Sequence, residues 1–283
     1  MPELPEVETI RRGLAEAVRG RRIVGIRMTP AGERLLRGVP TEAFLARVRG
    51  RRIDDIRRRG KYLLFALDDG ATFVAHLRMT GRFEVEPGDA PDGPFFRAAL
   101  QLDDGRELRW RDARRFGTWA ICDEPAALDA RLGPEPLDED FTIDRLAGAL
   151  AGRRAPIKAV LLDQRRVAGL GNIYVDEALH LARIHPRRSA GTLTRDEVAR
   201  LHAAIRIALD KGIANFGTTF RSFVNAFGGE GRNREHLLVY GRRGEPCASC
   251  GTPIARIVVG GRGTHLCPTC QPFDGEGDAD AGR

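Results

Sequence analysis

Apolar residues recur at helical spacing at the start of the chain. Val7, Ile10, Leu14, Ala17 and Val18 share one face between Pro5, which suits a first turn, and Gly20, which suits a stop. The spacing predicts an amphipathic helix over residues 4–19. From about 21 to 132 the pattern changes to short alternating segments. Residues 62–67 and 72–77 flank Asp68-Asp69-Gly70, and residues 98–102 and 107–111 flank Asp103-Asp104-Gly105. Both read as hairpins. With further apolar segments near 22–28 and 44–56, they predict an antiparallel β-sandwich with the first helix packed on it. Residues 123–153 hold Pro125, Pro134, Pro136 and several acids, the texture of a linker.

Helical spacing then returns. Pro156 opens a helix carrying Ile157, Val160 and Leu161. The loop Gly169-Leu170-Gly171-Asn172 leads into a second through Tyr174, Glu177 and Leu179. Thr194 and Glu197 form a capping box for a third, with Val198, Leu201, Ile205, Ala208 and Leu209 on one face and Gly212 as its expected stop. The Gly169–Asn172 loop lacks the glycine pattern of a dinucleotide site, but glycine before a helix can bring backbone N–H groups onto a phosphate. Asn172 then either caps that helix or bonds a phosphate. The later run Gly228-Gly229-Glu230-Gly231-Arg232-Asn233-Arg234 reads as mobile, either an inert linker or a loop that orders on a ligand. The acidic, Gly- and Ala-rich residues 273–283 read as a disordered tail. The whole is an α+β multidomain pattern: a sandwich over 1–132, a linker over 133–153, a helical domain over 154–240, and a small cysteine unit over 241–272.

Composition narrows the partners. The 283 residues, 42% hydrophobic and 30% charged, have room for about two domains of a soluble globular protein. No run approaches about 18 apolar residues, and the first residues lack the order of a secretion signal. The expectation is a cytoplasmic monomer with no membrane partner. A net charge of +7 favours an anionic partner, nucleic acid ahead of a membrane surface. Between Arg47 and Lys61, Arg49, Arg51, Arg52, Arg57, Arg58 and Arg59 are opposed only by Asp54 and Asp55. Such a run is either a solvated face or a groove that follows phosphates.

Four of the five cysteines lie near the end, as Cys247-x2-Cys250-x16-Cys267-x2-Cys270. This is zinc-ribbon spacing: two tight knuckles joined by a β-hairpin that turns at Gly260-Gly261. Four thiolates leave no open coordination position, so one structural zinc ion is expected. Arg262, near the hairpin tip, is either a groove or phosphate contact or an idle surface charge.

The first eight residues, Met1-Pro2-Glu3-Leu4-Pro5-Glu6-Val7-Glu8, allow two readings. Glu3, Glu6 and Glu8 suit the positive end of a helix dipole. Removal of Met1, expected because Pro2 is small, would also leave a secondary α-amine beside Glu3 and Glu6. An α-amine has a reference pKa near 8, against about 10.4 for lysine, so a fraction is nucleophilic near neutrality and can form a Schiff base.

In this order, Pro2 to Thr9, Gly60-Lys61-Tyr62, His76-Leu77-Arg78-Met79-Thr80-Gly81, Arg114-Arg115-Phe116-Gly117, Gly169 to Glu177 and the four-cysteine ribbon closely resemble the bacterial formamidopyrimidine-DNA glycosylase family. Singly most of these motifs are weak, but their order over nearly the whole chain is specific. The resemblance implies a β-sandwich, a helix-two-turn-helix domain and a zinc finger, acting on damaged double-stranded DNA. It implies a bifunctional glycosylase and abasic-site lyase of base excision repair: Pro2 attacks C1′, the base leaves, and the Schiff base undergoes β- and δ-elimination.

By position, Glu3 matches the family's general acid/base, Glu6 a second carboxylate near the site, and Lys61 a sheet lysine that contacts phosphate. The target must be extruded from the duplex. Met79, Arg114 and Phe116 match the set that fills the void, although alone Met79 and Phe116 would read as core residues. Gly81 and the Arg114-Arg115 pair favour exposed loop tips. His76, Lys158, Asn172 and Arg262 match DNA-backbone contacts, and Glu177 a position supporting the helical site. One departure concerns residues 226–236, where the family often carries an aromatic after the glycine and this chain reads Gly231-Arg232-Asn233-Arg234. Oxidised purines such as 8-oxoguanine and formamidopyrimidines are the expected lesions. A broader, endonuclease VIII-like specificity and a non-catalytic damaged-DNA-binding module are the alternatives. A structural ribonucleoprotein zinc ribbon would need no such terminus.

Overall fold

A computed structural model describes residues 2–124, 130–220, 223–226 and 228–273. Met1, Pro125, Phe227 and residues 274–283, which include most of the expected tail, lie outside the described residues. The chain divides into two compact units, Met1–Arg131 with Gly212–Arg234, and Leu132–Lys211 with Glu235–Arg283.

The first unit is the antiparallel sandwich. Helix α1, Leu4–Val18, buries Leu4, Val7, Ile10, Leu14 and Val18, the face its spacing predicts. Eight strands follow: β1 Ile23–Met28, β2 Ile53–Arg59, β3 Tyr62–Leu67, β4 Thr72–His76, β5 Arg82–Pro87, β6 Phe96–Leu102, β7 Arg106–Arg111 and β8 Thr118–Cys122. They form one sheet in the order β1-β6-β7-β5 and another in the order β2-β3-β4-β8. Phe65, Phe73, Phe83, Trp110 and Trp119 fill the centre, with Phe83 edge-on to Trp110 at 4.7 Å between ring centroids. These rings carry much of the burial that holds the two sheets together.

The apolar segment 44–56 is not one strand. Its first part belongs to a helix, α2 (Thr41–Val48), because Phe44 and Val48 are four apart and both buried; the strand begins at Ile53. The arginine run is largely paired within the unit: Arg47 with Asp123, Arg51 with Asp69, Arg52 with Asp54, Arg57 with Asp55 and Arg58 with Glu8. Its local charge is thus smaller than the sequence implies.

The second unit holds α3 (Ile143–Leu150), α4 (Ile157–Leu162), α5 (Asn172–Leu181) and most of α6 (Arg195–Ala214), then the hairpin β9 (Ala255–Val259) and β10 (Arg262–Leu266). The stretch read as a linker carries α3, whose N-cap Thr142 accepts the Arg145 N–H. It is also docked within its unit: the Arg206 guanidinium donates to the carbonyls of Pro136, Leu137 and Asp138, and Phe141 stacks on His202 at 5.1 Å.

The capping box opens α6 as expected, with Thr194 N donating to Glu197 Oε2 at 2.8 Å and Glu197 N to Thr194 Oγ1 at 3.3 Å. Gly212 does not end it. The helix continues to Ala214 and closes with Phe216 in the left-handed region (φ 59°), Phe216 N donating to Ile213 O and Gly217 N to Gly212 O. These paired bonds are a Schellman stop, with Gly212 inside the last turn and supplying one of its carbonyls.

Candidate functional site

Strand register gathers the sandwich's candidate residues at one sheet end. Tyr62 pairs with His76, and His76 pairs with Thr118. The Gly60-Lys61 turn, the loop after His76 and the loop before Thr118 therefore emerge together. Lys61 lies in the turn joining β2 and β3 rather than within a strand. Gly60 supplies the positive φ (55°) that the turn requires, and Lys61 is buried. The start of α1 reaches the same end, since Glu8 pairs with Arg58 at 3.4 Å and Arg58 donates to Gly60 O. Burial pushes the Glu8 carboxyl up, but hydrogen bonds from Arg11 and Arg12 hold it below its usual value.

Pro2, Glu3 and Glu6 are all buried. Glu3 and Glu6 form a reciprocal capping box, in which Glu3 N donates to Glu6 Oε2 at 2.8 Å. The other Glu6 oxygen accepts Thr218 N at 2.7 Å. One carboxylate thus ties the terminus to the turn after α6. Asn233, buried, donates from Nδ2 to Thr218 Oγ1 at 3.0 Å and from its backbone to Gly217 O. Gly231 packs so tightly there that an added Cβ would lie 2.2 Å from Gly217 O. Residues 231–233 of the loop read as mobile are therefore pinned to the segment that Glu6 holds. Arg234 lies over the Phe220 ring at 5.4 Å.

His76 is buried edge-on to Tyr62, and its Nδ1 accepts the Arg78 N–H at 2.9 Å. Burial, reinforced by the charges of Arg78 and Lys61, lowers its pKa to about 3. The ring is neutral near pH 7, with its one proton on Nε2. Met79 and Phe116 are 39% and 52% exposed, which rules out the core reading, and the Arg114 guanidinium lies 4.8 Å from the Phe116 ring centre.

In the second unit the candidates divide. Lys158 is fully buried, and its ammonium bonds Asp176 Oδ1 at 2.6 Å and Gly263 O at 3.1 Å. As placed, it is an internal counter-ion rather than a surface phosphate ligand. Asn172 is the first residue of α5 and not its cap, which is Gly171. Its Nδ2 donates to the same Gly263 carbonyl at 2.8 Å, and its Oδ1 is buried with no hydrogen-bond partner. Arg262 is exposed at the start of β10, beside the Gly260-Gly261 turn.

Helix α5 also seats the finger. Asp176 Oδ2 accepts His265 N at 2.8 Å, and Glu177 accepts the N–H groups of Leu238, Val239 and Tyr240 at 2.7–2.9 Å. Burial pushes the Glu177 carboxyl up despite these donors.

Cys247, Cys250, Cys267 and Cys270 bring four sulfurs within 4.8 Å of one another. The Sγ–Sγ separations of 3.4, 3.5 and 3.9 Å are far too long for disulfides. They fit a tetrahedral zinc, whose thiolates at about 2.3 Å stand roughly 3.8 Å apart. The ion's contribution is structural, with Cys247, Cys250, Cys267 and Cys270 as its ligands.

Sequence reasoning missed Asp112, Asp176, Thr218 and Asn233, each a buried polar residue that braces a candidate. Asp112 stands two residues before Arg114-Arg115, a signal that was present but had no motif attached.

The fold and site define a class: an antiparallel sandwich with a buried N-terminal Pro-Glu pair, a helical unit and a four-cysteine finger. The family models describing the formamidopyrimidine-DNA glycosylase N-terminal domain, its H2TH domain, and the zinc finger found in FPG and IleRS match residues 1–119, 132–224 and 244–272. The chain belongs to the formamidopyrimidine-DNA glycosylase family. It is 48% identical to the formamidopyrimidine-DNA glycosylase of Herpetosiphon aurantiacus over 96% of this chain and 100% of the relative. It is 50% identical to that of Chloroflexus aggregans over 96% and 98%. Among solved structures it resembles Lactococcus lactis Fpg in complex with DNA containing an abasic site, at TM-score 0.89 and 39% identity over 96% of this chain and 100% of that one. A MutM complex with DNA containing carbocyclic 8-oxo-G matches at TM-score 0.88 and 39% identity, with the same coverage.

Two outcomes are expected. Native His76 stays neutral down to about pH 3, whereas the unfolded chain takes up the proton near pH 6.5. Stability from this site is therefore full above about pH 6.5 and falls as the pH drops towards 3. The urea midpoint should fall less between pH 7.5 and 5 in His76→Gln than in the native protein; equal losses would refute the assignment. Cys267→Ser should lower bound zinc from one ion per chain to near none by elemental analysis and open the 238–272 region to protease.

Proposed function

We propose that this protein is a bifunctional DNA glycosylase and abasic-site lyase of base excision repair, acting on oxidised purines in double-stranded DNA. The observation that carries the reading is the terminus: a proline whose nitrogen becomes a free secondary amine once Met1 is removed, followed by buried Glu3 and Glu6 at the start of a rigid helix. Binding alone does not need an amine there. Identity near one half, over the full length, with proteins named formamidopyrimidine-DNA glycosylase supports this branch over an endonuclease VIII-like one.

In this reading the Pro2 nitrogen attacks C1′, and the glycosidic bond breaks with its electron pair leaving on the base. The deoxyribose ring opens, O4′ takes a proton, and C1′ becomes an iminium. That electron sink acidifies C2′. Loss of the C2′ proton expels the 3′ phosphate, and a second elimination expels the 5′ phosphate. Water then hydrolyses the imine and returns the free amine. Glu3 is the proton carrier of these steps, and Glu6 holds Glu3 in place through its backbone. Lys61 places a phosphate at the sheet end.

His76 offers an uncharged Nε2–H, and Arg262 and Asn172 are further contacts to the DNA backbone. Lys158, buried against Asp176, serves this reading by fixing the helix–finger contact rather than by touching DNA. Met79, Arg114 and Phe116 fill the space the extruded nucleotide leaves. Zinc held by Cys247, Cys250, Cys267 and Cys270 would fix the hairpin that carries Arg262. Among the described residues no helix is long and apolar enough to cross a membrane. The proposed place of work is the cytoplasm, at the chromosomal DNA.

Duplexes carrying one defined lesion each test this. An 8-oxoguanine or formamidopyrimidine duplex should yield the free base and a one-nucleotide gap with phosphate on both ends. Binding without base release would leave the damaged-DNA-binding module, and stronger release of oxidised pyrimidines would move the protein to the endonuclease VIII-like specificity.

A further inference from the structure

The three side chains assigned to the void sit on two loops that the sequence separates by more than thirty residues. Met79 follows β4, whereas Arg114 and Phe116 precede β8. A wedge assembled from two loops works only if their spacing is fixed before DNA arrives, because each ångström of slack must be recovered during extrusion. One buried carboxylate joins them. Asp112, 1% exposed, accepts the Thr80 hydroxyl at 2.5 Å and Arg114 N at 3.1 Å on Oδ1, and Gly117 N at 2.9 Å on Oδ2. Arg114 N also donates to Thr80 Oγ1 at 3.0 Å. Its own backbone is held as well, with Asp112 N donating to Phe95 O at 2.9 Å and Arg97 Nε to Asp112 O at 3.0 Å.

Packing agrees with the hydrogen bonds. An added Cβ on Gly81 would lie 2.4 Å from the Trp110 indole, and one on Gly117 would lie 2.2 Å from it. Both loops therefore press their glycine against one fully buried ring, while the carboxylate beside that ring draws them together. Arg78 and Arg115, in the left-handed region at φ 54° and 58°, turn the two loops so that Met79 and Phe116 face outward.

We propose that Asp112 is a positioning residue for base extrusion, with Thr80 as its link to the second loop, making Met79, Arg114 and Phe116 one preassembled wedge. The proposal rests on the glycosylase reading above. Asp112 touches neither the sugar nor the base. Its effect is confined to substrates from which a nucleotide must be pulled out of a stack.

The test separates extrusion from chemistry. Asp112→Asn keeps one acceptor but turns an amide donor towards Thr80 or Gly117, and the near-isosteric Thr80→Val removes only the link. Each should slow excision of 8-oxoguanine from a duplex by roughly ten- to hundredfold, the range expected for losing a hydrogen bond to a charged group. Each should also slow the rise of 2-aminopurine fluorescence placed next to the lesion. Borohydride trapping on a single-stranded abasic oligonucleotide, which needs no extrusion, should be unchanged, and Thr80→Ser should restore duplex excision. Native rates on the duplex in both variants would overturn the proposal. So would an equal loss on both substrates, which would make Asp112 a stability residue only. Failure of the native protein on both substrates would instead overturn the glycosylase reading.

Discussion

The register that sets Tyr62 opposite His76 and His76 opposite Thr118 is the constraint on which the first unit's site depends. In an antiparallel sheet a slip of one residue turns every side chain to the other face, so this alignment is fixed by the apolar faces it buries. Leu63, Phe65, Phe73, Ala75 and Trp119 bury that inner face. The same packing that stabilises the sandwich therefore delivers Lys61, the Met79 loop and the Phe116 loop to one end. Arg58, paired with Glu8 and bonded to Gly60 O, brings the helix start to that end as well.

Polar groups then do what the core cannot. Buried carboxylates recur as junctions: Glu6 between the terminus and Thr218, Asp112 between two loops, Asp176 and Glu177 between α5 and the finger. Each spends its lone pairs on backbone or hydroxyl donors, or in Asp176 also on the Lys158 ammonium, because a carboxylate buried without partners would be costly. Such groups contribute more to geometry than to stability, since satisfying them only recovers the cost of burying them. The Gly263 carbonyl shows the same economy, serving Lys158 and Asn172 at once. Zinc bound by the four cysteines would keep that carbonyl in place.

Much of this was legible in the residues, and the limits have physical reasons. Helix α1, the two hairpins, the capping box of α6 and the cysteine ribbon were readable because local pattern and tertiary environment agree. Strands β5 and β8 were not, although Arg82 to Glu86 alternates, because β5 pairs with β7 and β8 with β4, so neither sits beside its partner across a short turn. Residues 44–48 misled because a two-turn helix and a strand look alike over five residues. Lys158 was placed at a phosphate by resemblance, and its burial against Asp176 depends on a residue 18 positions away. Asp112 escaped notice for the same reason: its bonds to Arg114 N and Gly117 N are local and carry no motif, and the partner that links it to a second loop, Thr80, lies 32 positions away.

The central claim is that the Pro2 nitrogen forms the bond to DNA. Incubating the protein with an abasic-site duplex and borohydride reduces any imine to a stable amine, and peptide mass spectrometry locates the linkage. The account predicts a covalent adduct on Pro2, with Met1 absent from the labelled peptide. An adduct on a lysine, or none in protein whose Met1 is demonstrably removed, would contradict it.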